Sequence, residues 1–329
     1  MARVMLLGAT GTLGQATARA LRRRGQAVVA LVRPRAGVGG RLDAQALAAR
    51  LPGVELRFGE VCDPLSQARD GWRGERFDAL VSCLASRTGA PYDAWAVDHA
   101  AHHHALAAAR AAGVTQMVLL SALCVQKPRL AFQHAKLAFE RELMASNLAW
   151  SIVRPTAFFK SLSGQVERVR RGQAFLLFGS GELTACKPIG DDDLADYLAD
   201  CLHDPARANR VLPIGGPGPA LTPRAQGELL FQALSLPPRF RHVPVALMDA
   251  IVGTLGVLGH AWPAAAAKAE LARIGRYYAT ESMLVLNPRT GAYDERLTPS
   301  TGRQTLGDFY AALACGHVEQ PERGDHAVF

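Results

Sequence analysis

The sequence predicts an α/β fold, a doubly wound parallel sheet with a smaller, mainly helical C-terminal lobe. Three observations predict it. An apolar run, Val4 to Leu7, is followed by Gly8, Gly11 and Gly14 at three-residue spacing, and a helical pattern continues to Leu21; this is strand, glycine turn, helix. Short apolar runs then alternate with helical stretches as far as Val153, the rhythm of strand–helix–strand units. A length of 329 residues, with 49% hydrophobic and 20% charged, suits a globular chain and excludes a disordered one. Residues 1–157 are expected to form a Rossmann-like, NADP-binding domain and 158–329 a substrate lobe, with a stretch near 183–215 returning to the sheet.

The glycine turn lets backbone approach a pyrophosphate, whose charge sits at the helix N-terminus among unpaired N–H groups. Gly8, Thr10, Gly11, Thr12, Leu13 and Gly14 are therefore the first cofactor-binding candidates. The second strand, Ala27 to Val32, ends in Arg33-Pro34-Arg35. An acid here would accept from the ribose 2′-hydroxyl of NAD, whereas an arginine pairs with the 2′-phosphate of NADP. Arg33 thus favours NADP, and NADPH is the expected cofactor. Gly37 to Gly40 reads as a flexible loop, and an alanine-rich helix follows. The third strand, Glu55 to Phe58, leads to Asp63-Pro64, where Asp63 either caps the adenine or makes an ordinary turn. The fourth, Phe77 to Cys83, ends in Leu84-Ala85-Ser86 beside the expected dinucleotide.

The next helix carries Asp98, His99 and His102 to His104. These histidines read as polar and packing residues, because no cysteine or acid stands at ligand spacing. Gly113 ends that helix, and the fifth strand, Gln116 to Leu120, ends in Ser121. The following helix contains Phe132-Gln133-His134-Ala135-Lys136. It resembles the Tyr-x-x-x-Lys helix of the short-chain dehydrogenase/reductase superfamily, whose spacing puts both side chains on one face. Lys136 fits the lysine, placed to hold the nicotinamide ribose and raise local positive potential. Phe132 stands at the tyrosine position, so the acid that reduces carbonyls is absent. Ser121, His134 and Lys136 form the candidate catalytic set.

The sixth strand, Trp150 to Val153, runs into Arg154-Pro155, and Pro155 closes the cofactor-binding set with Leu84, Ala85, Ser121 and Lys136. Beyond it the alternation loosens. Phe175 to Phe178 and Val211 to Ile214 read as short strands, and Asp191 to Asp193 as acids capping a helix. Thr222-Pro223 opens another helix by cap and N1 proline. The rest, from Leu229, reads as mainly helical apart from a strand-like Met283 to Leu286.

Net charge is +8. Without a long Lys/Arg block or a nucleic-acid motif, this favours anionic small ligands or a weak surface attraction over nucleic acid. Arg22 to Arg24 fall at a helix end, where cations suit the dipole. The six cysteines are scattered with no C-x-x-C, so neither zinc nor an iron–sulfur cluster is expected, and free thiols in a reducing compartment are. The first strand begins almost at Met1, so no signal or transit peptide is expected and the location reads as cytoplasmic. Val243 to Trp262 is apolar but broken by Asp249, His260 and three glycines. A buried helical hairpin is the preferred reading; a wall for a large apolar substrate, or a face that touches a membrane peripherally, is the sharper one.

Later segments are more distinctive: LSALCVQKP (120–128), SIVRPTAFFKSLSGQVE (151–167), LTACKPI (183–189), LPIGGPGPALTPRAQGE (212–228), RYYATESMLV (276–285) and ERGDHAVF (322–329). With the glycine turn they resemble the 3,8-divinyl (proto)chlorophyllide a 8-vinyl reductase family, the NADPH-dependent, NmrA-like type of atypical short-chain dehydrogenase/reductase. The resemblance runs nearly end to end. It implies reduction of an 8-vinyl to an 8-ethyl group on a divinyl chlorophyllide or protochlorophyllide, in chlorophyll or bacteriochlorophyll synthesis. It also explains Phe132: hydride added to the vinyl terminus leaves charge spread into the macrocycle rather than on an alkoxide. Phe132, Phe158, Phe159, Tyr278 and Glu281 are the substrate-binding candidates. The proton donor is left open among water, His134, Lys136, Tyr277, Tyr278 and Glu281, and the oligomeric state is open too. An NADP-binding redox sensor and a non-catalytic assembly subunit are the alternatives to an enzyme.

Overall fold

The computed structural model describes residues 1–36, 40–259 and 262–318. Residues 37–39 of the glycine loop, His260 of the apolar segment and the terminal motif at 322–329 lie outside the described residues. The strands are β1 (Arg3–Leu7), β2 (Ala27–Val32), β3 (Glu55–Phe58), β4 (Ala79–Ser82), β5 (Gln116–Leu120), β6 (Ala149–Pro155), β7 (Phe175–Phe178), β8 (Arg210–Ile214) and β9 (Phe240–Val243). Seven of them form one sheet in the order β3-β2-β1-β4-β5-β6-β8. β1 pairs in parallel with β2 on one side and β4 on the other, and β2–β3, β4–β5 and β5–β6 are parallel as well. The strand order therefore reverses between β1 and β4, which places a ligand crevice beyond their C-terminal ends.

The apolar runs exist because both faces of this sheet are covered. Val4 to Leu7 are 0% exposed. Met5 and Leu7 pack with Val29, Leu31, Leu80 and Ile152 against Trp72, Phe77, Phe139 and Leu143. Val4 and Leu6 point the other way by strand alternation. The expected strands recur with ends shifted by a few residues; the fourth shortens to Ala79–Ser82 and the sixth lengthens to Ala149–Pro155.

The chain divides into two compact units. The first is Met1–Arg87, Pro91–Pro155 and Asp191–Leu212; the second is Thr88–Ala90, Thr156–Gly190 and Pro213–Phe329. In the first unit, the helix Thr12–Arg23 packs on the helix Asp191–Asp200. The arginines at the end of the first helix do more than serve its dipole. Arg19 pairs with Asp192 at 2.9 Å, Arg23 with Asp196 at 2.8 Å, and Arg24 with Asp196 at 2.8 Å and Asp200 at 2.6 Å. Asp192 is thus a partner for the neighbouring helix as well as a first-turn acid. Pairs this exposed contribute below about 1 kcal/mol each, but the i,i+4 spacing of the three aspartates sets one register for the returning helix.

The second unit has its own core, with Phe159, Val166, Phe175, Leu177, Phe231 and Phe309 among its members. β7 pairs in parallel with β9, and β9 lies in a stretch expected to be mainly helical. Four residues with two apolar ones carry too little period to reveal a strand; Phe240 becomes one by packing edge-on against Phe175 and Phe231. The strand-like Met283 to Leu286 narrows to Val285–Leu286, paired with Tyr293–Asp294.

The apolar segment forms a hairpin, Val245–Gly259 against Pro263–Thr280, but not the buried one expected. Leu247, Ile251, Val257 and Trp262 are 52%, 44%, 74% and 62% exposed. Helix contacts cover one side only, and Leu247, Ile251 and Leu258 share the uncovered side at i, i+4 and i+11. Among the described residues no helix is long and apolar enough to cross a membrane.

Candidate active site

The glycine turn shows three different reasons for its glycines. Gly8 has φ +77, and a Cβ there would sit 2.6 Å from the backbone of Cys83 and Leu84. The turn thus lies directly against the end of β4. A Cβ on Gly14 would overlap the carbonyl oxygen of Gly8, so helix and turn touch backbone to backbone. Gly11 has only the Gly8 oxygen at 3.7 Å, leaving that side open. Gly11 caps the helix Thr12–Arg23 without a side-chain hydrogen bond, and no acid stands in the first turn. Its first N–H groups and dipole are available to an anion. Thr12 is exposed, Leu13 buried, and the Thr10 carbonyl accepts from Gln15 Nε2 at 3.0 Å. This cradle fits a dinucleotide pyrophosphate.

Arg33 follows β2 half-buried, near enough to Cys62 to oppose the rise that burial and Glu60 impose on that thiol. Asp63 accepts from Leu65 N at 3.0 Å as the cap of a short helix with Pro64 at N1, the turn chemistry of the two roles expected for it. Leu84 is half-buried and Ala85 exposed just past β4, while Pro155 is buried at the end of β6.

The helix Ala131–Met144 begins where Gln133 reaches back, its Oε1 accepting from Leu130 N at 3.0 Å and Arg129 N at 2.7 Å. Phe132, Lys136 and Glu140 then fall on one face at i, i+4 and i+8. Lys136 Nζ donates to Asp98 Oδ1 at 2.8 Å, and the Asp98 side chain is 0% exposed. Glu140, equally buried, accepts from Ser121 Oγ and from Arg154. His102 Nδ1 meets the Val97 carbonyl at 3.0 Å, so that nitrogen carries the proton, and Nε2 accepts from Ser82 Oγ at 2.8 Å. Burial, with Lys136 nearby, pushes the His102 pKa down to about 4, which keeps the ring neutral. His99 and His103 both hold Glu142, at 2.6 and 2.8 Å.

Ser121 and Lys136 therefore line one narrow crevice with Asp98, His102, Leu119, Leu120 and Phe139. Phe132 is 9% exposed on the Lys136 face. His134 is exposed, two residues away and so on a different face; the structure does not bring it to Lys136. In the second unit Phe159 is 3% exposed, its ring tilted 5.2 Å from that of Phe309, and it belongs to that unit's core. Phe158 bridges to Ile189. Tyr278 is exposed, and Glu281, buried, accepts from Tyr293 OH at 2.7 Å. Sequence reasoning passed over Asp98 and Glu140. Glu140 was visible as the next turn of the Phe132–Lys136 face; Asp98 lies far off in sequence, among histidines that drew the attention.

The reversed strand order, the glycine cradle and the lysine helix define a Rossmann protein that binds a nicotinamide dinucleotide. A model of the NAD(P)H-binding family matches residues 8–205. The NADPH-dependent quinone oxidoreductase QOR2 of Escherichia coli, solved with NADPH, superposes with a TM-score of 0.65 at 19% identity, over 94% of this chain and 99% of that one; this likeness shows the fold. The chloroplastic divinyl chlorophyllide a 8-vinyl-reductase of Oryza sativa subsp. indica is 48% identical over 99% of this chain and 82% of its own length. Its Arabidopsis thaliana counterpart is 46% identical over 98% and 79%. The chain belongs to the divinyl chlorophyllide a 8-vinyl-reductase family.

Two glycine substitutions separate packing from binding. Gly14→Ala must push helix and turn apart, so it lowers the thermal midpoint and weakens NADPH by about tenfold or more. Gly11→Ala meets open space and keeps the midpoint while weakening NADPH. Fluorescence titration and thermal unfolding check both; equal behaviour of the two variants would contradict the cradle.

Proposed function

We propose that this chain reduces the 8-vinyl group of divinyl chlorophyllide a to an ethyl group with NADPH as cofactor. One observation carries the reading: a chain nearly half identical to the named reductases keeps the lysine of the helix while Phe132, buried, takes the place of a proton-donating phenol. Bound NADPH supplies the hydride. The turn from Gly8 to Gly14 and the helix behind it take the pyrophosphate, and Arg33 takes the 2′-phosphate. Lys136 holds the nicotinamide ribose and sets positive potential where negative charge develops. Hydride goes to the terminal vinyl carbon, so the charge left on the inner carbon delocalises into the macrocycle, and a proton then completes the ethyl group. No alkoxide forms, so the reaction needs less from a proton-donating phenol than carbonyl reduction does, and the proton comes from water or another group.

We propose further that the uncovered side of the hairpin rests on an anionic lipid surface. Trp262, 62% exposed, caps the second helix of the hairpin, and such an amphipathic ring suits a headgroup boundary. Asp249, the acid of the first helix, is held by Arg276, and Lys268 is exposed. The hairpin thus carries exposed apolar side chains and an exposed cation, on a chain of net charge +8, a composition complementary to anionic headgroups.

Three measurements test these readings. With NADPH deuterated at nicotinamide C4, divinyl chlorophyllide a should show a blue-shifted Soret band and deuterium in the new methyl; nucleotide binding with no spectral change would point to a sensor instead. Lys136→Ala should cut turnover by about a hundredfold or more with folding intact, and wild-type turnover in that variant would remove Lys136 from the mechanism. The protein should sediment with phosphatidylglycerol vesicles but not phosphatidylcholine ones, and Leu247→Asp/Ile251→Asp should release it. Failure to sediment, or a dimer abolished by the same substitutions, would refute the lipid assignment.

A further inference from the structure

Lys136 is mostly enclosed, its side chain 11% exposed. An ammonium there needs a counter-ion, since the cost of removing both charges from water is offset only by close, well-oriented pairing. Asp98 meets that need at 2.8 Å and comes from a different helical segment, Trp95–Ala101. Its carboxylate is steadied by Ser86 N at 3.2 Å, while Oδ2 is buried without a hydrogen-bond partner. An ionised carboxylate left half-satisfied is costly, and fold stability alone would be better served by an apolar pair.

We propose that Asp98 is a positioning residue of this reductase, holding Lys136 charged and aimed at the nicotinamide end of the dinucleotide. The groups around Lys136 leave that task to Asp98. His102, from the same side, is neutral and committed to Val97 and Ser82. Glu140, on the helix of Lys136, is occupied by Ser121 and by Arg154 from β6. Glu142, further along, bridges His99 and His103. With Asp98 neutralised, the enclosed ammonium would have burial against it and no dedicated anion to hold its direction. The proposal rests on the placement of Lys136 beside the nicotinamide and not on the identity of the substrate.

The test reads NADPH affinity, without pigment, for the wild type, Asp98→Asn, Lys136→Met and the double variant. Asp98→Asn is nearly isosteric. Its affinity should fall about tenfold, and in the Lys136→Met background the same substitution should change affinity less than about twofold. Asp98→Glu keeps the charge and should recover most of the affinity that Asp98→Asn loses, which serves where the Asn variant folds poorly. Wild-type affinity in Asp98→Asn, an equal loss in the Lys136→Met background, or no recovery in Asp98→Glu would each overturn the role of Asp98. Unaltered NADPH affinity in Lys136→Met would instead overturn the placement of Lys136.

Discussion

The rest of this structure depends on a contact between backbones. Gly8 lies against the peptide between Cys83 and Leu84, and Gly14 lies on the carbonyl of Gly8, with no room for a Cβ at either place. Those contacts join β1, the helix after it and the end of β4 at the point where the sheet order reverses. A dinucleotide crevice exists there because the helix N-terminus is drawn so close to the strand ends. A methyl group on either glycine would move the anion-binding N–H groups away from the strands that align the nicotinamide end.

Across the sheet, chemistry is concentrated on one face of the helix Ala131–Met144. Lys136 and Glu140 each meet a partner of opposite charge, the buried Asp98 and the half-buried Arg154. Buried pairs of this kind are a weak source of stability, because desolvation cancels much of the attraction. They are strong in direction: Asp98 fixes Lys136 in a narrow crevice that also holds the neutral His102, and Arg154 fixes Glu140 on the next turn. The phenol usual to this helix is missing, and a fixed positive charge remains. Such a site suits a reaction whose developing charge is spread over a conjugated ring system.

Much of the fold was legible in the sequence because its signals are local. A run such as Val4–Leu7 followed by Gly8, Gly11 and Gly14 carries strand, turn and helix within a dozen positions, and Thr222-Pro223 marks a helix start by capping chemistry alone. β9 escaped notice because Phe240–Val243 is short and gains its identity from Phe175 and Phe231. The apolar hairpin departs from expectation for a related reason. Hydrophobicity along Val245–Gly259 announces a helix that avoids water, but not what it avoids water against, and Leu247 and Ile251 turned out to face outward. Of the site, Lys136 and Phe132 could be found by spacing; Asp98 could not, since an acid beside several histidines has no local mark that separates a buried counter-ion from a solvated one.

The sequence by itself determined the glycine cradle, the succession of strands and helices, the lysine helix without its tyrosine, and the family, because each is written in residue type and short-range spacing. Only the tertiary structure decided that Asp192, Asp196 and Asp200 answer Arg19, Arg23 and Arg24, that Phe159 is core, and that Lys136 is held by Asp98. Those outcomes depend on which distant segments meet and on how much water is left between them, and both are set when the sheet and its covering helices close.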